Sequence, residues 1–377
     1  MPLPQLNNPQ NIFLESSNST SDKLRIIHDS LMKNFNDLDR IAVAMYDEKS
    51  DMLKTFINST RQGYPIEKYE FKLSDCYTLN RLSKEGVYRV IDDIPDSIIA
   101  SSPHSDWLLK QGYYSSFTVP IYDNGHFLGM IFFDSVKSAA FSSKIQRDLL
   151  MYSSLINMII SEEISAVRSI VTSAKVAREI SNLRDFETGA HLERMARFAR
   201  IIALELAESH NLSDEFIEHL YLFAPLHDIG KIGIPDKILL KPGKFDEAEI
   251  TIMKGHVTKG VELVEKILGG FALTHLPDSI ILKNIIGCHH EFLDGSGYPH
   301  GLRGDEIPIE ARIVTASDIY DALTSVRPYK KAWSPDSAID ELTSMVRQGK
   351  LDPDCIQAIR KRLPDLVDIT SKFAEIK

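Results

Sequence analysis

Apolar and polar positions in the first 160 residues alternate in short runs separated by turn residues, which is typical of strands. Residues 123–125, Asp-Asn-Gly, lie between two such runs, and Asn and Gly tolerate positive φ, so we expect a hairpin there. One helix precedes the strands, at residues 24–35, where apolar residues recur at helical spacing. The predicted strands are 41–46, 52–57, 87–91, 117–122 and 127–133.

Helical spacing dominates from about residue 142 onwards. Five apolar residues alternate spacings of four and three, forming a short heptad seam: Ile160, Ile164, Val167, Val171 and Ala174. We interpret this segment as a helix that links two domains and pairs two protomers. The alternative is a helix that packs only on its own domain.

The remaining apolar series are also helical. One amphipathic helix is predicted over 250–268, and another over 281–286 leads into the pair His289-His290. The predicted N-caps are Ser213, Ser334 and Asp352, the last two followed by proline. No strand pattern follows residue 160. The predicted fold therefore has two domains, an N-terminal α+β domain and a C-terminal all-α domain.

These patterns also set the expected boundaries. We expect residues 1–20, rich in Asn, Ser and Pro, to be disordered or extended. The α+β domain is expected over 21–145, the linking helix over 146–184 and the helical domain over 185–377.

Composition narrows the setting of the protein. The 377-residue chain carries a formal net charge of -10, which argues against binding to DNA. Three scattered cysteines indicate no disulfide framework and fit a reducing compartment. Neither a signal peptide nor an apolar run long enough for a bilayer is present in the sequence. We therefore expect a cytoplasmic protein without a membrane partner.

Histidines and carboxylates stand out in the helical half. Taken singly, each is more simply read as a core or surface residue. As a set they exceed the donors that one divalent ion takes, and they suit two or three ions that share carboxylates. The candidate ligands are Glu187, His191, His227, Asp228, His256, His289, His290 and Asp318.

The final hairpin, with Val-Pro-Ile at 119–121 and Gly-Met-Ile at 129–131, resembles that of a GAF domain. The resemblance implies a small-molecule sensor or dimerisation module, whose ligand the sequence does not identify.

The helical half resembles the HD-GYP family, a branch of the HD metal-dependent phosphohydrolases. The resemblance rests on His-Asp-Ile-Gly-Lys at 227–231, Ile-Pro-Asp at 234–236, His-His-Glu at 289–291, Asp-Gly-Ser-Gly-Tyr-Pro at 294–299 and the segment 318–329. It implies hydrolysis of cyclic di-GMP to linear pGpG, GMP or both, gated by the GAF-like domain.

The resemblance also implies roles for individual residues. His191, His227, Asp228 and Asp318 would form the basic metal site. Asp228 would bridge to a second ion held by His256, His289 and His290, and Glu187 would support a third. Iron is the expected metal, with manganese as the alternative. Hydroxide formed from solvent between the ions would attack phosphorus, with Asp228 and Lys231 as catalytic residues.

Four residues are predicted to contact the substrate: Lys231, Tyr298, Arg327 and Lys330. Each cation has a simpler reading, because Lys231 could compensate a helix C-terminus and the other two could be exposed charges. Tyr298 could instead buttress the Gly-Tyr-Pro loop or face a diguanylate cyclase domain. Asp321, one turn after Asp318, is predicted to orient a ligand or a cation.

One residue departs from the pattern. Pro225 precedes His227 in a segment expected to be helical, so we expect a kink there that tilts the His-Asp pair.

Two rival functions stay open from the residues: an HD phosphohydrolase acting on another nucleotide, and a non-catalytic receptor that binds cyclic di-GMP or recruits cyclases.

Overall fold

The computed structural model describes residues 19–98, 108–180, 189–270, 278–325 and 332–373. Its contacts divide the chain into an N-terminal unit, Met1–Ser165, and a C-terminal unit, Ala166–Lys377. Nearly all of the segment 1–20, predicted to be disordered or extended, lies outside the described residues.

An antiparallel sheet of six strands forms the centre of the N-terminal unit, in the order β3-β2-β1-β6-β5-β4. The predicted hairpin is confirmed, with Asn124 at φ 49° and Gly125 at φ 83° between β5 and β6. The strands are β1 Arg40–Asp47, β2 Met52–Thr60, β3 Glu70–Lys72, β4 Arg89–Ile91, β5 Ser115–Asp123 and β6 His126–Ser135. The helices before residue 140 are α1 Thr20–Met32, α2 Tyr77–Glu85 and α3 Ile94–Ser97.

Each face of this sheet buries apolar side chains. On one face, Ile41 and Val43 of β1 pack with Leu24 and Ile27 of α1. The opposite face packs Ala44 and Met130 against Leu79 and Leu82 of α2. The alternation along β1 follows from the two-residue period of a strand. The α+β prediction for this unit is therefore confirmed.

The long helix α4, Ser143–Ile180, corrects the predicted dimer seam. Ile160 is fully buried and Ile164 is 8% exposed, both in the core of the N-terminal unit. Val167 is buried in the core of the C-terminal unit, and Val171 packs against that core. The side chain of Ala174 lies outside the described ones. The seam is wrong as a protomer contact, because an apolar stripe at this spacing serves packing within one chain equally well.

The described part of the C-terminal unit is helical, as predicted. Helix α5 packs against α6, α11, α13 and α14, so it lies at the centre of this unit. Its buried apolar residues recur every three or four positions, among them Met195, Phe198 and Ile202. The helices are α5 Gly189–Leu206, α6 Asp214–Phe223, α7 Asp236–Leu239, α8 Glu247–Lys254, α9 His256–Gly270, α10 Ser279–Cys288, α11 Ile309–Thr324, α12 Pro335–Arg347, α13 Pro353–Lys361 and α14 Leu363–Lys372.

The three predicted N-caps are confirmed. Ser213 accepts a hydrogen bond from the Phe216 backbone N–H, Ser334 from that of Ser337, and Asp352 from that of Asp354.

Two breaks differ from the predicted helices. The amphipathic series at 250–268 forms two helices, α8 and α9, separated at Gly255, and this break places His256 at the start of α9. The kink expected at Pro225 is instead a helix end: α6 stops at Phe223, and Pro225 lies in a 3₁₀ turn, Ala224–Leu226. The His-Asp pair follows that turn. Among the described helices, none combines the length and apolarity needed to cross a bilayer.

Candidate metal centre

The predicted metal ligands that fall within the described residues lie close together. They come from four helices and two 3₁₀ turns. His191 comes from α5, His256 from the first residue of α9, and Asp318 from α11. His227 and Asp228 lie between the turns Ala224–Leu226 and Ile229–Gly233, and His289 and His290 follow α10.

Their potential ligand atoms form two groups. In one, Asp228, His256, His289 and His290 offer atoms within 4.8 Å of one another. In the other, His191, His227 and Asp318 do so. The groups adjoin, because His227 Nε2 lies 3.2 Å from Asp228 Oδ2. Asp228 is thus placed to serve both.

Hydrogen bonds to backbone carbonyls fix the tautomer of three of these imidazoles. The Nδ1 atoms of His227 and His256 lie 2.9 and 2.8 Å from the carbonyl oxygens of Ala224 and Met253. His289 Nδ1 lies 3.1 Å from the Ile285 carbonyl oxygen. A carbonyl can only accept, so each Nδ1 carries the proton and each Nε2 presents a lone pair to the cluster.

The buried donors fit divalent cations. His256 Nε2, His289 Nε2 and Asp228 Oδ1 are buried without a hydrogen-bond partner among the described residues. A buried polar atom without a partner is costly, and several that converge at one place are explained by a cation that they would ligate. Imidazole and carboxylate together suit transition-metal ions better than Mg²⁺ alone.

Asp228 is ionised in this setting. Burial on its own would raise the pKa of the carboxyl, but its charged surroundings, the Lys231 ammonium foremost, outweigh burial and hold that pKa well below its usual range. Lys231 Nζ lies 2.7 Å from Asp228 Oδ2, and His256 Nε2 lies 3.0 Å from Asp228 Oδ1.

His191 is held by a buried ion pair beneath it. Its Nδ1 lies 2.7 Å from Asp321 Oδ2, while Arg194 donates from Nε to Asp321 Oδ1 at 2.6 Å and from an Nη to Oδ2 at 2.9 Å. Burial would raise the pKa of Asp321, but the hydrogen bonds from Arg194 and His191 bring it to about 2. Asp321 therefore stays anionic and turns His191 Nε2 towards Asp318, 3.9 Å away.

His290 is stacked by the tyrosine of the Gly-Tyr-Pro loop. The Tyr298 ring lies 4.7 Å from the His290 ring at 26°, and the Tyr298 backbone N–H donates to the His290 carbonyl oxygen at 3.1 Å. Burial, followed by the neighbouring His289, lowers the pKa of His290 to about 2, so this imidazole is neutral. Lys254 Nζ lies 4.9 Å from the centre of the Tyr298 ring.

Glu291 holds the Gly-Tyr-Pro loop in place through hydrogen bonds to its backbone. Its side chain is buried, and its carboxylate accepts hydrogen bonds from the backbone N–H groups of His300, Gly301 and Leu302 at 2.7, 3.1 and 3.1 Å. A Cβ at Gly297 would collide with the backbone of Glu291 and Phe292, so only glycine fits there.

Gly230 of the His-Asp-Ile-Gly-Lys sequence is needed for a similar reason. A Cβ on this residue would overlap the carbonyl oxygen of His256 and approach the backbone of Gly260. The absent side chain lets the 3₁₀ turn that follows Asp228 lie directly against the start of α9.

The structure brings together seven of the eight predicted ligands. Glu187, Arg327 and Lys330 lie outside the described residues. Cys288, next to the histidine pair, joins neither donor group; it packs near Ile307 and Ala311, and burial raises its pKa to about 11.

Sequence reasoning missed two supporting residues. Arg194 lies one helical turn after His191, and that spacing was an available signal. Glu291 belongs to the His-His-Glu motif at 289–291, but no spacing indicated its role, because its partners are backbone groups about ten residues further along the chain.

Residues 176–355 match the family model of the HD domain. The chain is 43% identical over 204 residues to the cyclic di-GMP phosphodiesterase response regulator RpfG of Xanthomonas campestris pv. campestris, covering 54% of this chain and 50% of that protein. It is 37% identical over 208 residues to 3′3′-cGAMP-specific phosphodiesterase 2 of Vibrio cholerae serotype O1, covering 52% of this chain and 37% of that protein. The chain thus spans half or less of the length of these relatives.

Among solved structures, a phycocyanobilin-bound GAF domain from a cyanobacterial phytochrome is similar, with 14% sequence identity and a TM-score of 0.34. That similarity covers 41% of this chain and 94% of that one. The family match spans both donor groups, His191, His227 and Asp318 as well as Asp228, His256, His289 and His290. Over residues 176–355 the chain is therefore similar to the HD domain family.

Proposed function

We propose that this protein hydrolyses cyclic di-GMP to linear pGpG, GMP or both, in a metal-dependent reaction. The observation that carries the proposal is the convergence of His191, His227 and Asp318 with the adjoining group around Asp228. Relatives named cyclic di-GMP phosphodiesterases support this substrate, with 43% identity in Xanthomonas campestris and 39% in Thermotoga maritima.

We assign the ligands by the two groups. One ion would be held by His191, His227 and Asp318, with Asp228 shared, and another by Asp228, His256, His289 and His290. Glu187 is proposed as a ligand of a third. Iron, with manganese as the alternative, fits donors dominated by imidazole. When bound, such ions polarise a phosphoryl oxygen and lower the pKa of water.

The protein groups have separate tasks in this scheme. The Nδ1–H groups of His227, His256 and His289 stay on backbone carbonyls, so these rings act as fixed ligands and not as proton acceptors at that atom. Asp228, ionised, keeps the Lys231 ammonium 2.7 Å away, where its charge can offset that of a phosphate.

Substrate contacts are proposed for Lys231, Tyr298, Arg327 and Lys330. Tyr298 is suited to stack on a nucleobase, since its ring already lies against His290. The two later cations would bind phosphate, for which arginine offers a two-pronged contact.

A related substrate is favoured by other relatives. Three Vibrio cholerae proteins named 3′3′-cGAMP-specific phosphodiesterases are 37%, 39% and 32% identical to this chain. We therefore keep 3′3′-cGAMP as the second candidate, because it differs from cyclic di-GMP only in one base.

The partners are also proposals. The N-terminal unit would regulate the reaction, and the Gly-Tyr-Pro loop would be the contact for a diguanylate cyclase domain. We propose a homodimer through α4 by a face other than the predicted seam, since Met151 and Met158, one heptad apart, are 74% and 59% exposed. Replacing both methionines by glutamate should lower the mass in solution; an unchanged mass would contradict this dimer.

The test of the activity compares two histidines of the same region. Protein loaded with iron or manganese is incubated with cyclic di-GMP and with 3′3′-cGAMP, and linear products are measured beside the metal content. His290→Ala should lose metal and turnover, while His300→Ala, an exposed histidine outside both groups, should keep both.

Full turnover in His290→Ala would contradict the assignment. Tight binding of cyclic di-GMP without turnover by the metal-loaded protein would favour a receptor, and turnover of 3′3′-cGAMP alone would favour the second candidate.

A further inference from the structure

A cavity of about 60 Å³ lies in the N-terminal unit, on the sheet face that carries α2. Arg40, Ala42 and Ala44 line it from alternate positions of β1, and Phe132 and Asp134 line it from β6. The register pairs Arg40 with Asp134 and Ala42 with Phe132, so these side chains share one face. The cavity therefore lies on the sheet face that these side chains share.

Small side chains create the space. Alanine occupies positions 42 and 44, where the neighbouring strands place larger residues such as Leu53 and Phe132. A water needs about 10–15 Å³ of such a cavity, so about four to six waters would fill it. Its wall is mostly apolar, with Ile66 and Phe71 among the lining residues. This size suits a short molecule with an apolar body.

Two guanidinium groups reach the cavity, but only one has an ionic partner among the described residues. Arg40, 4% exposed, donates from Nε to Asp134 at 2.8 Å, and this pair balances its own charge. Among the residues that the structure describes, Arg89 donates to the hydroxyls of Thr78 at 3.2 Å and Thr118 at 3.3 Å. The described part of the cavity wall thus carries one positive charge in excess.

Both guanidinium groups keep an unused donor. Arg89 Nε and Arg40 Nη1 are buried without a hydrogen-bond partner among the described residues. Burial lowers the pKa of Arg89, although an arginine stays charged at neutral pH. Arg89 as a whole is half-buried, and an anion that accepts a hydrogen bond from its enclosed Nε would satisfy that donor.

We propose that this cavity binds a small organic carboxylate, with the carboxylate on Arg89 and a short apolar chain against Phe132. The ligand is a monoanion of about half a dozen heavy atoms, because the cavity holds only a few waters. One excess charge in the wall favours one negative charge on the ligand.

Matched probes test this on the full chain. Butyrate, butyramide and butylamine have nearly the same shape but differ in charge, and inorganic phosphate is an anion without an apolar body. Binding is measured by calorimetry and by the thermal transition of the N-terminal unit. Butyrate should bind at least about tenfold more tightly than butyramide, and butylamine should not bind.

Variants locate the site. Arg89→Met should remove the preference for butyrate, and Arg89→Lys should keep part of it. Ala42→Leu should block binding by filling the cavity while leaving Arg89 in place. Lys84→Met removes an exposed cation at the end of α2 and should bind butyrate as the unaltered chain does.

The proposal is overturned if the three probes bind alike, if no butyrate binds at millimolar concentration, or if phosphate alone binds. It is also overturned if a folded Arg89→Met or Ala42→Leu variant retains the affinity for butyrate. Should circular dichroism show Arg89→Met to be unfolded, Arg89→Lys and Ala42→Leu decide the outcome. Because the readout is binding, none of these results depends on phosphodiesterase activity.

Discussion

Replacing Arg194 by methionine removes the cation that keeps the Asp321 carboxylate buried and charged. Arg194 and Asp321 are 2% and 1% exposed, so solvent cannot take the place of the lost partner. The pKa of Asp321 is held at about 2, against an ordinary 3.8, which corresponds to about 2 kcal/mol of stabilisation of its ionised form.

The expected cost is larger than that figure. Arg194 also donates to the Phe373 carbonyl oxygen and to Ser325 Oγ, and breaking a buried pair from one side leaves an uncompensated charge. We therefore expect Arg194→Met to lower the free energy of unfolding of the C-terminal unit by about 3 to 5 kcal/mol.

The assay measures the fluorescence of a single tryptophan during unfolding. The sequence contains two, Trp107 and Trp333, so a Trp107→Phe background leaves Trp333 to report on the C-terminal unit during urea unfolding. The matched control is Arg197→Met, one turn along α5, whose ion pair with Glu193 is partly exposed. This control should cost about 1 kcal/mol or less.

The dependence on pH provides a second check on Arg194. A carboxyl with a depressed pKa contributes stability above its unfolded pKa of about 4 and loses it as the pH falls towards 2. Without Arg194 the pKa of Asp321 rises, so the difference between variant and unaltered chain should shrink on acidification below about pH 4. A cost equal to that of Arg197→Met, or a difference that widens in acid, would refute the reasoning.

Three further changes test other features. Gly230→Ala should force the turn after Asp228 away from His256 and reduce the metal content of the protein. Gly269→Ala, where a Cβ meets nothing within 4 Å, should leave the metal content unchanged. Equal metal content in the two variants would contradict the close approach of Gly230 to the His256 backbone. Glu291→Gln should loosen the loop and lower turnover at least about tenfold, since an amide offers one acceptor oxygen where a carboxylate offers two; unchanged turnover would show that the three N–H bonds are dispensable. His28, buried with a lowered pKa caused by burial, should make the N-terminal unit lose stability as the pH falls below its unfolded pKa of about 6.5. His28→Gln should flatten that dependence in urea unfolding measured between roughly pH 7 and pH 5, and an unaltered slope would exclude His28 as its source.

The sequence predicted the elements whose cause is local. The hairpin at Asn124-Gly125 and the N-caps Ser213, Ser334 and Asp352 depend on backbone preferences of the residues themselves, and they are present as predicted. The helix break at Gly255 was missed because the apolar series continues through it at the right spacing.

The dimer seam failed for a different reason. An apolar stripe indicates that one face of a helix is buried, but it does not indicate what buries that face. In this chain, Ile160 and Val167 are buried by other residues of the same chain.

The residues of the site also differ in whether the sequence could predict them. The seven described candidate ligands were singled out because their residue types are rare together, whereas Arg194, Glu291 and the cavity beside Arg89 depend on partners distant in sequence.

The contact between Tyr298 and His290 joins the surface of the protein to its interior. One ring is part of an exposed loop, and the other offers a donor to the cluster, with a backbone hydrogen bond beside the stacked pair. If His290 binds an ion as proposed, whatever displaces the tyrosine will change the affinity of that site for the ion. By reciprocity, loading with ions must alter the affinity of the loop for whatever rests on it, by the same factor. A cell's supply of transition metal would then set how readily this loop engages a nucleotide or another protein.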